Sequence, residues 1–332
     1  MTNITFTNDT NIPLSLAVWL SYDDYDYNFD PNTLSATELL QPIRALILSK
    51  QNPSLKSKID VSSLVPSAMG TALHSSIESV WLKKDQVKKS LINLGYPQAT
   101  VDKVLINPEP SEITKDSIPV YLEQRKSKKL GKYTITGKSD FIINGALEDF
   151  KSSGTYSYLT QSNAEKHMQQ GSIYRWLQPD IITSDVMHIR YLFTDWSKLE
   201  SIKNPNYPKS RLTSQPFNLM GLAETEQFIL NILNQLDQYI SKPQDELPRC
   251  SDKDLWIKPT VWKYYKDPNK TNRSTKNFDN ELDAYNRLSK DGSVGIVKKI
   301  EGKVERCKYC PVVNNCNQAK EYINSGQLTL NT

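Results

Sequence analysis

The sequence predicts an α/β fold: a central mixed β-sheet flanked by helices, with a helical N-terminal layer and a cysteine-bearing C-terminal subdomain. Three observations lead there. Residues from Val120 to Ser152 form short β-rich runs punctuated by glycines, with Asn144-Gly145 as a two-residue hairpin signal. Segments of helical period lie on either side of this run, and an alternating strand follows them. At 38% hydrophobic content, 332 residues suffice for a sizeable core. The expected division is residues 1–67 for the N-terminal layer, 68–245 for the sheet-bearing core and 246–332 for the C-terminal subdomain.

Along the chain, an acidic and aromatic stretch, AVWLSYDDYDYNFD, precedes Ser35 and Thr37, either of which can cap a helix through TELLQPIRALIL. A second helix is predicted from Ala68 to Lys83, with Leu73, Ile77, Val80 and Trp81 at helical spacing. After the hairpin, a helix should run from about Asn163 to Leu177. In VMHIRYLF, Met187, Ile189, Tyr191 and Phe193 should then share one strand face. Asp195 to Phe217, rich in Pro, Lys, Ser and Asn, reads as a long surface loop. The segment AETEQFILNILNQLDQYISK reads as an amphipathic helix with Phe228, Ile232, Leu236 and Tyr239 along its packing stripe.

The net charge of +4 is too weak to identify a nucleic-acid binder. Local charge says more. Arg125, Lys126, Lys128, Lys129, Lys132 and Lys138 gather in one region, and Lys263 to Lys276 gather around Trp262, Tyr264 and Tyr265. A groove for a nucleic-acid backbone needs such cations and rings, and an ordinary solvated surface accounts equally well for either run. The chain lacks a run of about 18 uncharged apolar residues and a secretory leader, so no membrane association and a cytoplasmic location are expected. GKYTITGKS superficially suggests a phosphate loop, but five residues separate its glycines and a strand pattern follows, so no ATPase motor is expected.

Counting outward from an Asn144-Gly145 turn pairs Ile143 with Ala146 and sets Asp140 opposite Asp149, their Cβ atoms about 5 Å apart. Two carboxylates so placed among Phe141, Ile142, Ile143, Leu147 and Phe150 need a positive partner, and a divalent cation supplies one. Strand alternation puts Lys151 on the face of Asp149 and Glu148 on the other, a choice that a β-bulge would reverse. On the second helix, His74 lies one turn beyond Gly70, which offers no Cβ where a helix must approach a sheet or DNA backbone. Glu78, a turn further, is either a partner holding the imidazole or a plain surface glutamate.

The run GKSDFIINGALEDFK resembles the Gly-x-x-Asp and Asp-x-Lys core of the PD-(D/E)xK nuclease superfamily, in particular its RecB-type and bacteriophage exonuclease branches. GTALH, from Gly70 to His74, is similar to the family's Gly-x-x-x-His helix, and QGSIY, from Gln170 to Tyr174, to its Gln-x-x-x-Tyr helix, in the family's order. The resemblance spans roughly Ser35 to Phe193. It implies a restriction-endonuclease-like core and a deoxyribonuclease that degrades DNA from its ends, in a bacterial or phage-infected cell. His74, Asp140, Asp149 and the Phe150 carbonyl would hold Mg²⁺ or Mn²⁺, and Lys151 would orient or deprotonate the attacking water. Gln170 and Tyr174 would fix the water or phosphate and brace Lys151, and Glu123 resembles an auxiliary acidic residue of the family. The implied partners are DNA, with a single-strand annealing protein or a separate helicase. A structure-specific endonuclease and a catalytically silent DNA-binding accessory module are the alternative readings.

Cys307-x-x-Cys310 followed by Cys316 is a compact ligand set, and Cys250 supplies a fourth thiolate once the chain folds. Some RecB-type nucleases carry the same C-terminal spacing around a 4Fe-4S cluster. Their first cluster cysteine precedes the nuclease core, commonly in a Cys-Pro pair, where this chain has Gln41-Pro42. Iron–sulfur and Zn²⁺ both suit four thiolates.

Overall fold

The computed structural model describes residues 4–22, 30–53 and 57–330. By internal contacts the chain forms two compact units, Met1–Gln41 with Lys56–Asn234 and Pro42–Leu55 with Gln235–Thr332. In chain order the elements are β1 (Ile4–Thr7), α1 (Leu14–Ser21), β2 (Thr33–Ser35), α2 (Ala36–Leu39), α3 (Ile43–Gln51), β3 (Ser57–Asp60), α4 (Val65–Trp81), α5 (Lys84–Asn93) and α6 (Gln98–Val101). Then come β4 (Val104–Ile106), β5 (Ile118–Leu130), β6 (Tyr133–Ile143), β7 (Ala146–Ser153), α7 (Thr155–Thr160), α8 (Ala164–Leu177), β8 (Val186–Phe193), α9 (Lys198–Lys203) and β9 (Leu212–Asn218). The remainder is α10 (Leu222–Tyr239), α11 (Asp252–Leu255), β10 (Val261–Tyr265), β11 (Lys276–Phe278), α12 (Glu281–Lys290), β12 (Ile296–Ile300) and α13 (Asn317–Asn324).

The first unit is an α/β layer built on a seven-stranded mixed sheet of order β4-β5-β6-β7-β8-β9, with β2 added alongside β6. β5, β6 and β7 form an antiparallel meander, and β7 and β8 run parallel, as a connection through α8 requires. The β6–β7 turn follows from its residues: Asn144 and Gly145 both have positive φ, 48° and 80°, the left-handed pair that a tight hairpin turn needs. Asn163 immediately precedes α8, and along β8 Met187, Ile189, Tyr191 and Phe193 are buried as one face. No helix of the described residues is long and apolar enough to cross a membrane.

Several expectations change. The helix expected through TELLQPIRALIL breaks into α2 and α3, because Pro42 lacks an N–H and cannot continue α2. Ser35 is the cap: its hydroxyl accepts the Glu38 N–H, and the Glu38 carboxylate accepts the Ser35 N–H. The N-terminal residues are not helical alone, since β1 and β3 pair in parallel and β2 joins the main sheet. Of the acidic and aromatic stretch, residues 23–29 lie outside the described residues. The expected loop from Asp195 to Phe217 holds α9 and β9, an edge strand that tolerates Pro216 because one side of it forms no ladder. In α10 the buried stripe is Thr225, Ile229, Leu233 and Leu236, with Phe228 and Ile232 half-buried beside it. In the second unit, Tyr264 and Tyr265 are buried within the three-stranded sheet β11-β10-β12, which removes them from any base-stacking surface. Of the glycines of GKYTITGKS, Gly131 lies in the β5–β6 turn and Gly137 within strand β6, so no phosphate loop forms.

Candidate metal centre

Asp140 lies where β5 and β6 change the face they present. Before it, Gly137 meets α8 so closely that a Cβ there would stand 2.8 Å from Leu177 and 2.9 Å from Tyr174. Ser139, fully buried, receives a hydrogen bond from Gln178 just beyond the same helix. Two residues on, strict alternation would point Phe141 the same way, yet it packs edge-on against Trp81 of α4. Glu123, between the register pairs Leu122↔Phe141 and Gln124↔Ser139, has φ +49°, a left-handed backbone uncommon outside glycine. This kink lets the strand pair switch faces without losing register.

At the switch, ligand atoms of His74, Glu123 and Asp140 all lie within 4.8 Å of one another, the one such group among the described residues. His74 comes from α4. Its Nδ1 lies 3.3 Å from Asp140 Oδ2 and its Nε2 2.9 Å from the Phe150 carbonyl oxygen. The hydrogen bond to Asp140 raises the His74 pKa above its ordinary value against the opposing effect of burial. The Phe150 N–H donates to the same Asp140 oxygen at 3.3 Å, and Glu123 is ion-paired with Lys138. The imidazole is therefore held from the sheet through Asp140 and Phe150, and Glu78, half-buried on α4, makes no contact with its ring nitrogens.

The rung expected between Asp140 and Asp149 does not form, because β6–β7 pairing ends at Phe141↔Glu148 where β6 turns. Asp149, only 2% exposed, continues instead along β8. Its Oδ2 stands 2.5 Å from Lys151 Nζ in an ion pair. Burial pushes the Asp149 pKa up to about 6, Lys151 opposes the shift and Asp140 adds to it. Burial works against the Lys151 charge, but the carboxylates of Asp149 and Asp140 outweigh it and raise the lysine pKa. Lys151 is thus a firmly protonated donor. Glu148 is ion-paired with Arg190, so the two acids of the Glu-Asp pair have separate cations, as alternation requires.

On α8, Gln170 Nε2 donates to Tyr174 Oη at 2.8 Å, and the Tyr174 ring covers Gly137. That glycine, three residues before Asp140, is required by close packing. Gly70 is not: a Cβ there meets only Ser152 Oγ at 3.8 Å, so the approach of α4 to the sheet does not explain it. Glu123, only an auxiliary acid by its sequence context, joins the centre through a tertiary feature, the backbone kink that faces it toward Asp140.

In the second unit, Cys250, Cys307, Cys310 and Cys316 line one small cavity with Arg44. All four are free thiols. Burial pushes Cys250 up to about 12 and Cys307 up to about 11, with the neighbouring cysteines adding to both. Arg44, 4% exposed, donates from Nε to Cys316 Sγ at 3.3 Å and from Nη1 to the Leu247 carbonyl at 3.2 Å. Gln318 clamps the backbone of Cys250 through its N–H and C=O, which carries that distant residue to the other three.

No family model matches the chain, and no curated protein does. Among solved structures, it is similar to a protein named SSO0001, at 17% identity over 66% of this chain and 81% of that one, with a TM-score of 0.36. It is also similar to an alkaline exonuclease from Laribacter hongkongensis, at 10% identity over 63% and 90%, with a TM-score of 0.34. A phage-related exonuclease from Haemophilus somnus 129PT matches at 15% identity over 49% and 73%, with a TM-score of 0.26.

Proposed function

We propose that this chain is a metal-dependent deoxyribonuclease of the PD-(D/E)xK type that hydrolyses phosphodiester bonds from DNA ends. The observation that carries the reading is the convergence of His74, Glu123 and Asp140 within 4.8 Å beside the buried Asp149–Lys151 pair. One imidazole and a set of carboxylates suit Mg²⁺ or Mn²⁺, and a cluster of acids held by Lys138, Lys151 and His74 is one that a divalent cation would stabilise. His74, Glu123 and Asp140 would hold the ion, with Asp149 and the Phe150 carbonyl as further donors. Such an ion supplies a Lewis acid that acidifies water and offsets charge on the phosphate.

The side chains then divide the remaining work. Lys151, kept cationic by Asp149, orients the attacking water and donates to a phosphate oxygen as negative charge develops there. The water oxygen bonds to phosphorus, the ester P–O bond breaks, and the proton lost by water is balanced by one taken up by the leaving oxygen. Tyr174, held through its hydroxyl by Gln170, braces the sheet from α8 by packing on Gly137. At the cysteines, four thiols lining one cavity, two of them buried and Cys316 beside the Arg44 guanidinium, suit a group that is anionic when ligated, either a 4Fe-4S cluster or Zn²⁺, in a structural role. A place in phage or bacterial recombination, with an annealing protein or a separate helicase, fits such an activity.

The test compares wild type with Asp149→Ala and Lys151→Ala, each shown folded, on end-labelled linear duplex, single-stranded and closed circular DNA, with Mg²⁺ and with EDTA. Metal-dependent loss of linear DNA, abolished by either substitution while circles persist, is expected. Cut circles would make it an endonuclease. No cleavage by folded wild type would leave a DNA-binding module.

A further inference from the structure

The cations of β5 and β6 divide by strand face. On the tip side of Asp140, Gly137 and Ser139 turn toward α8, so alternation leaves Thr134, Thr136, Lys138 and Asp140 on the opposite face, the one that meets His74. The antiparallel register sets Arg125 opposite Lys138, Ser127 opposite Thr136 and Lys129 opposite Thr134. Arg125, Ser127, Lys129 and Lys138 are exposed, and the two threonines are half-buried. These three rungs carry cations and hydroxyls and no carboxylate, and inward of them Glu123 and Asp140, which fall between the register pairs, form the acidic end of the ladder. Successive rungs are two residues, about 6.7 Å, apart, which is on the scale of adjacent phosphates along an extended nucleic-acid strand. On the other face, Lys128 Nζ sits 4.0 Å from the centre of the Trp176 ring and 3.8 Å from Glu226, whereas Lys138 of the ladder is ion-paired with Glu123 at its acidic end.

We propose that this ladder is a track for the backbone of a single nucleic-acid strand, its three rungs taking consecutive phosphates and presenting the next one at Asp140 and Glu123. The inference rests on the nuclease reading for its direction, but the track itself is a binding surface and is measured without catalysis. Phosphate contacts of this kind position a strand and are blind to its bases.

The experiment is fluorescence anisotropy of end-labelled oligothymidylates of two, four and eight nucleotides with the full chain in EDTA, across a salt series. The track variant is Arg125→Gln with Lys129→Gln. The control, Lys126→Gln with Lys128→Gln, removes the same charge from the other face, and melting temperatures confirm that both fold. The track variant should lose about tenfold or more in affinity, and its salt slope should fall by about 1.4, at roughly 0.7 per phosphate on a single strand. The control should stay within about twofold of wild type, and affinity should rise from two to four nucleotides more than from four to eight. Equal losses in both variants, or none in the track variant, would overturn the ladder. If wild type binds as described yet fails to cleave with Mg²⁺ or Mn²⁺, the nuclease reading fails and the ladder stands. If it cleaves while the track variant binds like wild type, the reverse holds.

Discussion

Glu123 combines a strained backbone with a charge held against other charges. A left-handed non-glycine residue costs on the order of 1–3 kcal/mol, and such strain is retained where the surroundings enforce it. Glu123→Gly should therefore leave the metal-free melting temperature unchanged or higher, while weakening Mn²⁺ binding at least tenfold by calorimetry. Unchanged Mn²⁺ affinity would remove Glu123 from the centre. Two other residues give opposite pH signatures. His167, on α8, has its pKa lowered to about 4, first by burial and then by Lys151. Between about 4 and its ordinary 6.5 the unfolded chain binds a proton that the folded chain does not, so stability falls on acidification through that window, by up to about 3 kcal/mol. Asp149, raised to about 6, has the reverse sign: the folded chain binds the extra proton between about 6 and 3.8, so its contribution grows as the pH falls. Urea unfolding at pH 7 and pH 5 should show a shallower acid loss in His167→Gln than in wild type, and a steeper one in Asp149→Asn.

Among the elements, the β6 strand and the helices on its two faces set the site. Two glycines that look alike in the sequence separate here. Gly137→Ala drives a methyl into Leu177 and Tyr174 and should cost about 1–3 kcal/mol, read as a lower melting temperature. Gly70→Ala makes an ordinary contact with Ser152 and gains helix propensity of up to about 1 kcal/mol, so the fold should be as stable or more so. If Gly70→Ala nonetheless loses cleavage while remaining folded, the glycine serves approach of substrate. No residue of α4 is fully buried, and Leu73 and Ile77 line a cleft of about 410 Å³ with Phe150 and Arg190. The helix that supplies His74 therefore rests on few core contacts, and local opening there should show as faster amide exchange than in α8, seven of whose residues are buried.

At the scale of the whole molecule, the first unit carries the candidate centre and the second carries the cysteines. With the Cys250, Cys307 and Cys310 thiols held protonated by burial, ligation at the cysteine set must release protons, so loading should strengthen as the pH rises. Purified under argon, the protein should hold either iron with acid-labile sulfide or about one zinc per chain. Cys307→Ser should lose that metal and lower the melting temperature while leaving the metal-free first unit able to bind Mn²⁺. Metal content equal to wild type in Cys307→Ser would exclude the cysteines as ligands.

The sequence by itself determined what local chemistry controls. Asn144-Gly145 specified the hairpin, alternation set Asp149 with Lys151 against Glu148, helical spacing placed His74 and Tyr174, and β8 announced its buried face. It also showed the cysteines as a set. Tertiary structure decided what depends on two elements meeting. The rung between Asp140 and Asp149 failed because a kink at Glu123, invisible to any period, turns β6 before that pair can form. The edge strand β9 was hidden because its residues are chosen by the neighbouring strand and not by their own propensity. Cys250 is carried to its partners by the Gln318 clamp, a contact between distant segments. The basic residues of β5 separate into two faces for the same reason: the sequence gives their charges, but only α8, packed on Gly137, determines which face remains open.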